Sequence, residues 1–110
     1  MSELDEATYD RLAYETLQRI DRAFEDVDPD VVEAVPSAGV IKFEFQDGRR
    51  SWVVSTQRAA RQMWLAAEQR AWHFVREGDV WRSTKGDEEL LGTLRTLFAE
   101  HLGLEVDFAG

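Results

Sequence analysis

The chain has 110 residues, no cysteine and a formal net charge of −9. Without cysteine it can form no disulfide, no thiolate metal site and no cysteine nucleophile, so a reducing compartment is allowed. No apolar run approaches the ~18 residues that a membrane span needs, and the first residues lack the pattern of a signal or transit peptide. These features predict a single globular domain over residues 1–110, located in the cytoplasm, with no membrane partner.

The negative charge is concentrated in the first third of the chain. Residues 1–33 contain eleven acidic residues and three arginines, whereas residues 34–110 are nearly neutral. Such a polarised distribution disfavours nucleic acid as a partner and favours cations or a basic protein surface. We therefore expect no nucleic-acid partner.

An amphipathic helix is predicted over residues 4–28. Because the residue before a proline is disfavoured in a helix, Pro29 predicts the helix end at Asp28. The apolar residues recur at steps of three and four, the spacing of one helical face; they are Ala13, Leu17, Ile20, Phe24 and Val27.

Five acidic residues between Asp21 and Asp30 surround the end of this helix. The helix macrodipole favours positive charge there, so these acids do not serve helix stability. Two interpretations remain open, a solvated acidic face or a site for a cation or a basic protein. Carboxylates are suitable ligands for hard cations, but without histidine or cysteine we expect weak and poorly selective binding.

Short strands are predicted after the helix. Val40–Phe45 alternates between apolar and polar residues, which is typical of a strand with one buried face. Asp47-Gly48 and Gly78 indicate hairpin turns. The other predicted strands cover residues 31–35, 51–54, 62–66, 72–75 and 80–82, and the first of them is expected to end at Pro36.

A second helix is predicted to begin with Asp87 as its N-cap and to end before Gly103, with residues 104–108 docking back on the core. Consecutive strands joined by hairpins imply an antiparallel sheet, and two amphipathic terminal helices imply one covered face. The predicted fold is therefore α+β, a two-layer sandwich with both helices on one face of a sheet of five to six strands. The element order is α-β-β-β-β-β-β-α, and the other sheet face is open.

Trp64 has an ambiguous position in its strand. If Met63 and Leu65 point into the core, the two-residue strand period places Gln62, Trp64 and Ala66 on the opposite face. Because Trp64 and Leu65 are both apolar, the alternation alone does not determine which of them is buried.

The remaining tryptophans, Trp52, Trp72 and Trp81, are interpreted as core residues. His73 and His101 are isolated from any evident nucleophile, and we assign them structural or surface roles. No catalytic residue is predicted.

Several short motifs occur in a characteristic order along the chain. The most specific is the run Gln-Met-Trp-Leu-Ala over residues 62–66. The others are Arg11-Leu12-Ala13, the acid-rich helix end, Gly39-Val40, Gln57, Trp72-His73-Phe74, and Gly78-Asp79 followed by Trp81. From Tyr9 to Phe108 this ordered set resembles the frataxin family, specifically its bacterial CyaY-type branch.

The resemblance implies a non-enzymatic role in iron-sulfur cluster assembly, as an iron-binding regulator or iron donor. By position it implies weak binding of iron, as Fe²⁺ or Fe³⁺, at an acidic ridge that comprises Asp21, Glu25, Asp26, Asp28, Asp30 and Glu33. It also implies binding to the cysteine desulfurase and the iron-sulfur scaffold protein through a docking surface that comprises Ser55, Gln57, Gln62 and Trp64. The expected state is a monomer that could assemble in an iron-dependent way. The resemblance favours an outward Trp64.

The chain departs from the family pattern at two places. Ser55-Thr56-Gln57-Arg58-Ala59 replaces the usual Asn-Lys/Arg-Gln-x-Pro, and ridge positions that are often acidic carry Arg22, Val31 and Val35. These departures keep open an acidic protein-interaction module without a metal role. A ferroxidase that uses ridge carboxylates is a third alternative.

Overall fold

The computed structural model describes residues 4–108, and within that range it contains two α-helices and six strands. Neither α-helix is long and apolar enough to cross a membrane. A 3₁₀ turn, Arg58–Ala60, joins the third strand to the fourth, and the other consecutive strands are joined without a helical turn. In chain order the elements are α1 (Glu6–Ala23), β1 (Val32–Ser37), β2 (Val40–Phe45), β3 (Trp52–Gln57), β4 (Gln62–Ala67), β5 (Arg70–Glu77), β6 (Val80–Ser83) and α2 (Leu90–Leu102).

The six strands form one antiparallel sheet in the order β1-β2-β3-β4-β5-β6. Each strand therefore pairs with its neighbour in the sequence, which is the arrangement that consecutive hairpins produce. The helices cover one face of the sheet, and no helix of residues 4–108 covers the opposite face, here called the outer face. The predicted α+β sandwich is confirmed.

The core lies between the helices and the inner face of the sheet. Ile41 and Phe43 of β2 are buried as their alternation predicted, and Phe24 of the segment after α1 packs between Phe43 and Phe98 of α2, with ring centroids 5.0 Å from each. The core assignment of three tryptophans is confirmed: the exposed fractions are 1% for Trp52, 8% for Trp72 and 2% for Trp81.

Helix α1 ends at Ala23, earlier than the predicted end at residue 28. The N–H groups of Phe24 and Glu25 donate to the carbonyls of Asp21 and Arg22, three residues back, so the chain tightens and leaves the α-helical path. Acidic side chains at a helix C-terminus interact unfavourably with the macrodipole, so the acids of this segment disfavour continuation of the helix up to Pro29.

Strand β1 continues through Pro36, where the sequence had predicted its end. Proline is tolerated here because β1 is an edge strand, so the missing N–H removes no hydrogen bond to a second neighbour. The turn to β2 uses Ala38 and Gly39, both with positive φ (33° and 82°), as two-residue hairpin turns require.

Helix α2 is capped by Glu89 and not by Asp87, which corrects the predicted N-cap. The Glu89 carboxylate accepts hydrogen bonds from the N–H groups of Leu91 and Gly92, at 3.2 and 2.7 Å. Backbone pairing explains why the helix starts later than predicted. Glu89 forms a β-bridge with Arg82 of β6 and stays extended, so the helix cannot begin at Asp87.

The tail after α2 docks on the core as predicted. Gly103 adopts the left-handed conformation (φ 62°) that ends the helix, and its N–H donates to the Ala99 carbonyl at 3.0 Å. Val106 and Phe108 are then buried, and the ring of Phe108 lies 5.9 Å from that of Phe24.

Candidate docking surface and acidic ridge

The four residues of the docking surface lie together on the outer face of β3 and β4. Ser55 is the register partner of Trp64, and Gln57 is the register partner of Gln62. All four side chains alternate away from the core, and each is partly exposed. The structure therefore brings together residues that the sequence places up to nine positions apart.

Trp64 points outward, which resolves the ambiguity of the sequence. Its strand neighbours Met63 and Leu65 are 0% and 1% exposed, so the strand period leaves Trp64 on the outer face. The indole Nε1 donates to the Gln62 side-chain oxygen at 2.7 Å. The indole is therefore held in a defined orientation although it lies at the surface.

His73, for which the sequence predicted a structural or surface role, belongs to this surface. It is the register partner of Trp64 on β5, and the two rings stack with centroids 4.1 Å apart and planes 8° from parallel. The β4–β5 hairpin could have revealed the pair, since a turn centred on Glu68 and Gln69 places Trp64 opposite His73. One face of the indole is therefore covered by the imidazole.

Around these residues the outer face carries small apolar side chains and little charge. Val40 lies beside Ser55 in the register, and Ala66 lies between Val53 and Ala71. The ion pairs Lys42–Glu44 on β2 and Arg82–Glu77 on β6–β5 lie on strands to either side of β3 and β4. A flat, weakly charged centre with a polar margin is typical of a protein-binding surface.

The acidic ridge follows the end of α1 into β1. Asp21 lies in the last turn of α1, the next four acids lie in the connecting segment, and Glu33 lies on the edge strand. Only Asp21 is partly shielded from solvent; the other five are exposed. Glu33 also faces Glu44 across the β1–β2 pair, which brings a further carboxylate to this edge.

The ridge offers suitable donor atoms for iron but no closed coordination site. Carboxylate oxygens suit hard cations. Within residues 4–108, however, no three Asp, Glu or His side chains are close enough to hold a metal ion together. A cation at the ridge would keep most of its water ligands, so this geometry fits weak binding only.

Two further acids, not included in the predicted ridge, extend it from the tail. Glu105 and Asp107 line a groove of about 650 Å³ that they share with Asp26 and Asp28 at the end of α1. Their position depends on the tail folding back along α1, which the local sequence did not specify. Acidic side chains therefore extend beyond the ridge, and Arg19 and Arg22 line the same groove.

A family model for the frataxin-like domain matches residues 2–104 of the chain. A protein named "Iron-sulfur cluster assembly protein CyaY" from Dechloromonas aromatica is 34% identical over 100 residues, which cover 91% of this chain and 94% of the relative. A protein of the same name from Pseudomonas fluorescens is 34% identical over 109 residues and covers 97% of each chain.

Solved structures show the same fold. Frataxin from Psychromonas ingrahamii, described as a member of the CyaY family, superposes with a TM-score of 0.87 at 20% identity, covering 97% of this chain and 100% of that one. A ferrous complex of trimeric frataxin from Saccharomyces cerevisiae superposes with a TM-score of 0.62 at 20% identity, covering 94% and 91%. The near-complete family match and the 34% identity to bacterial relatives confirm the resemblance, and this chain belongs to the frataxin family.

Proposed function

We propose that this protein acts in iron-sulfur cluster assembly, by binding the cysteine desulfurase and the iron-sulfur scaffold protein through the docking surface and by binding iron weakly at the acidic ridge. Membership of the frataxin family and the names of the bacterial relatives support the assembly role. The role is regulatory and non-catalytic in this proposal, because the regions that carry it are a contact surface and a row of solvated carboxylates.

The observation that carries the proposal is the fixed, outward Trp64. A partly exposed tryptophan supplies a large contact area, and tryptophan is among the residues most often found to dominate the binding energy of protein interfaces. Here Gln62 and His73 restrain the indole before any partner arrives. Little side-chain freedom is then lost on binding, which favours affinity and specificity.

The direct test is Trp64→Ala, measured as binding to the purified desulfurase–scaffold complex by calorimetry. We expect affinity to fall about 30-fold or more, the effect of removing ~2 kcal/mol at an interface hot spot. The matched control is Tyr14→Ala, because Tyr14 is an aromatic residue on α1 that is 63% exposed and lies outside the docking surface. That variant should bind like the wild type.

Two results would contradict the interface proposal. If Trp64→Ala binds like the wild type, the docking surface is not the contact. If Tyr14→Ala loses as much affinity as Trp64→Ala, the effect of Trp64 is not specific to its position. Thermal unfolding of both variants establishes that each is folded at the temperature of the binding measurement.

The iron role is tested separately, by anaerobic titration of ferrous iron followed through the backbone amide signals. We expect the amides from Asp21 to Glu33 to shift or broaden at millimolar metal, while those of Gln57 and Trp64 stay unchanged. The expected weakness follows from exposed carboxylates that leave most coordination to water. Unmoved ridge amides would refute this part of the proposal.

The second candidate is an acidic protein-interaction module without a metal role. One observation favours it: no three acidic or histidine side chains of residues 4–108 converge. The family resemblance adds that Arg22, Val31 and Val35 stand at positions where acidic residues are expected. In that case the ridge stays unmoved by iron while Trp64→Ala still impairs partner binding. The two experiments together therefore distinguish the candidates.

A further inference from the structure

The hydroxyl of Tyr9 bridges the ends of the two strands that carry the docking surface. It donates to the Gln62 carbonyl at 2.7 Å and accepts from the Gln57 N–H at 3.1 Å. Tyr9 is 0% exposed and comes from α1, on the opposite side of the sheet from the docking surface. One buried atom thus touches the backbone of two docking residues at once.

Burial fixes the chemical state of this bridge. Desolvation raises the pKa of the Tyr9 hydroxyl above its usual value, so the group stays protonated and can donate to Gln62 at any physiological pH. The ring is held independently of the hydroxyl, because it meets Trp81 edge to face at 5.9 Å. The hydroxyl can therefore be removed without removing the ring from the core.

The connection between the two strands needs such support. Gln57 and Gln62 form the last register pair before the strands separate into the 3₁₀ turn. Arg61 then adopts a left-handed conformation (φ 55°, ψ 40°), which is strained for a residue other than glycine. Without contacts from α1, relaxation of this strained segment would displace Gln57 and Gln62.

The same part of α1 also holds the turn from outside. Arg58 donates to Asp10 at 2.9 Å and to Glu6 at 2.7 Å, and Arg61 lies over the Tyr9 ring at 6.0 Å. The Arg58 side chain is 58% exposed, and its partners Glu6 and Asp10 are 59% and 45% exposed, so solvent screens these ion pairs. The Tyr9 bridge, in contrast, is made by a buried side chain.

We propose that Tyr9 is a positioning residue for partner recognition, which holds Gln57 and Gln62 in the geometry that the docking surface presents. This inference rests on the proposed function, because it takes the docking surface to be the partner contact. Tyr9 itself touches no partner, and its effect is transmitted through the strand ends.

The test is Tyr9→Phe, which keeps the ring and removes the bridge. We expect a five- to tenfold loss of affinity for the desulfurase–scaffold complex, the size that follows from the net worth of about one hydrogen bond. The matched control is Thr16→Val, which removes another buried hydroxyl of α1, one whose hydrogen-bond partners are Trp81 Nε1, at 2.9 Å, and the Leu12 carbonyl, not the docking residues. Thr16→Val should bind like the wild type.

A double-mutant cycle shows whether Tyr9 acts through the docking residues. With Gln57 and Gln62 both replaced by alanine, the additional effect of Tyr9→Phe on affinity should shrink to less than about twofold. A full five- to tenfold loss in that background would overturn the proposal. So would wild-type affinity of Tyr9→Phe, or an equal loss in Thr16→Val.

Hydrogen exchange of the free protein separates this inference from the proposed function, because it needs no partner. In Tyr9→Phe the Gln57 amide, which loses its acceptor, should exchange at least about tenfold faster than in Thr16→Val. If it does not, Tyr9 does not position the strand ends. If it does while Trp64→Ala binds normally, the positioning stands and the docking function fails.

Discussion

The docking surface and the acidic ridge are both open to solvent, but they are built in opposite ways. In the docking surface the polar groups already have partners: Trp64 donates to Gln62, and Gln57 donates to Ser55 at 3.4 Å. Among the six ridge side chains, only Asp28 makes a hydrogen bond within residues 4–108, to the N–H of Asp30. One region is ordered before binding, and the other is a row of solvated charges.

This difference assigns different contributions to the two regions. Ordered side chains lose little entropy on binding and can discriminate between partner shapes, so they should determine how long a complex lasts. Solvated charges act at a distance and are screened by salt, so they should determine how fast a basic partner arrives.

The largest expected effect is a difference in stability between variants of Trp52 and Trp64, which lie on neighbouring strands but on opposite faces of the sheet. Trp52→Ala should reduce the free energy of unfolding by about 3–5 kcal/mol, because a buried aromatic residue is lost from the core. Trp64→Ala should reduce it by less than about 1 kcal/mol, because its side chain is on the outer face. Urea denaturation of both variants measures the contrast.

The pair is well matched, since each indole Nε1 donates to a side-chain oxygen: Trp52 to Glu68 at 3.0 Å and Trp64 to Gln62 at 2.7 Å. Equal losses of stability would mean that Trp64 belongs to the fold and would remove the basis for assigning it to binding.

The next effect concerns the ridge. A triple variant with Asp26→Asn, Asp28→Asn and Asp30→Asn should slow association with the desulfurase–scaffold complex about tenfold at low ionic strength and leave dissociation nearly unchanged. The Asp28→Asn change keeps a side-chain oxygen that can accept the N–H of residue 30, so the local turn is preserved. Surface plasmon resonance at two salt concentrations checks this, because the difference from wild type should diminish at high salt. A change confined to the dissociation rate would reverse the assignment.

The smallest effect concerns the restraint on the indole. Gln62→Ala removes the acceptor of Trp64 Nε1 and should weaken partner binding about three- to fivefold, mainly through faster dissociation. Tryptophan fluorescence anisotropy would not isolate Trp64, so the indole N–H signal in NMR is the suitable readout. If that signal is unchanged, the stack with His73 alone orients the ring.

The sequence predicted the architecture well because its signals were local and mutually consistent. Strict alternation in Val40–Phe45 identified the buried Ile41 and Phe43, and Gly103 identified the end of α2. The four docking residues were found through the family resemblance. Their proximity follows from the β3–β4 register, which a short connection between two strands largely determines.

The features that were missed depend on contacts between distant segments. The side chain that caps α2 is Glu89 because β6 pairs with the preceding backbone, and no local rule contains that pairing. The outward orientation of Trp64, which the alternation left open and the family resemblance favoured, depends on which sheet face the helices cover. Likewise, the sequence alone does not indicate that Arg58 and Tyr9 connect α1 to the 3₁₀ turn.

The bridge from Tyr9 to Gln62 spans 53 positions of the chain and has a consequence for the folding process. Contacts of long sequence separation must overcome a loop-closure entropy and tend to form late. The docking surface would then reach its final geometry only after α1 has packed against the completed β3–β4 pair. A chain that is still folding, or that has lost α1, would present an incomplete surface, so a partner that recognises the docking surface would discriminate against folding intermediates.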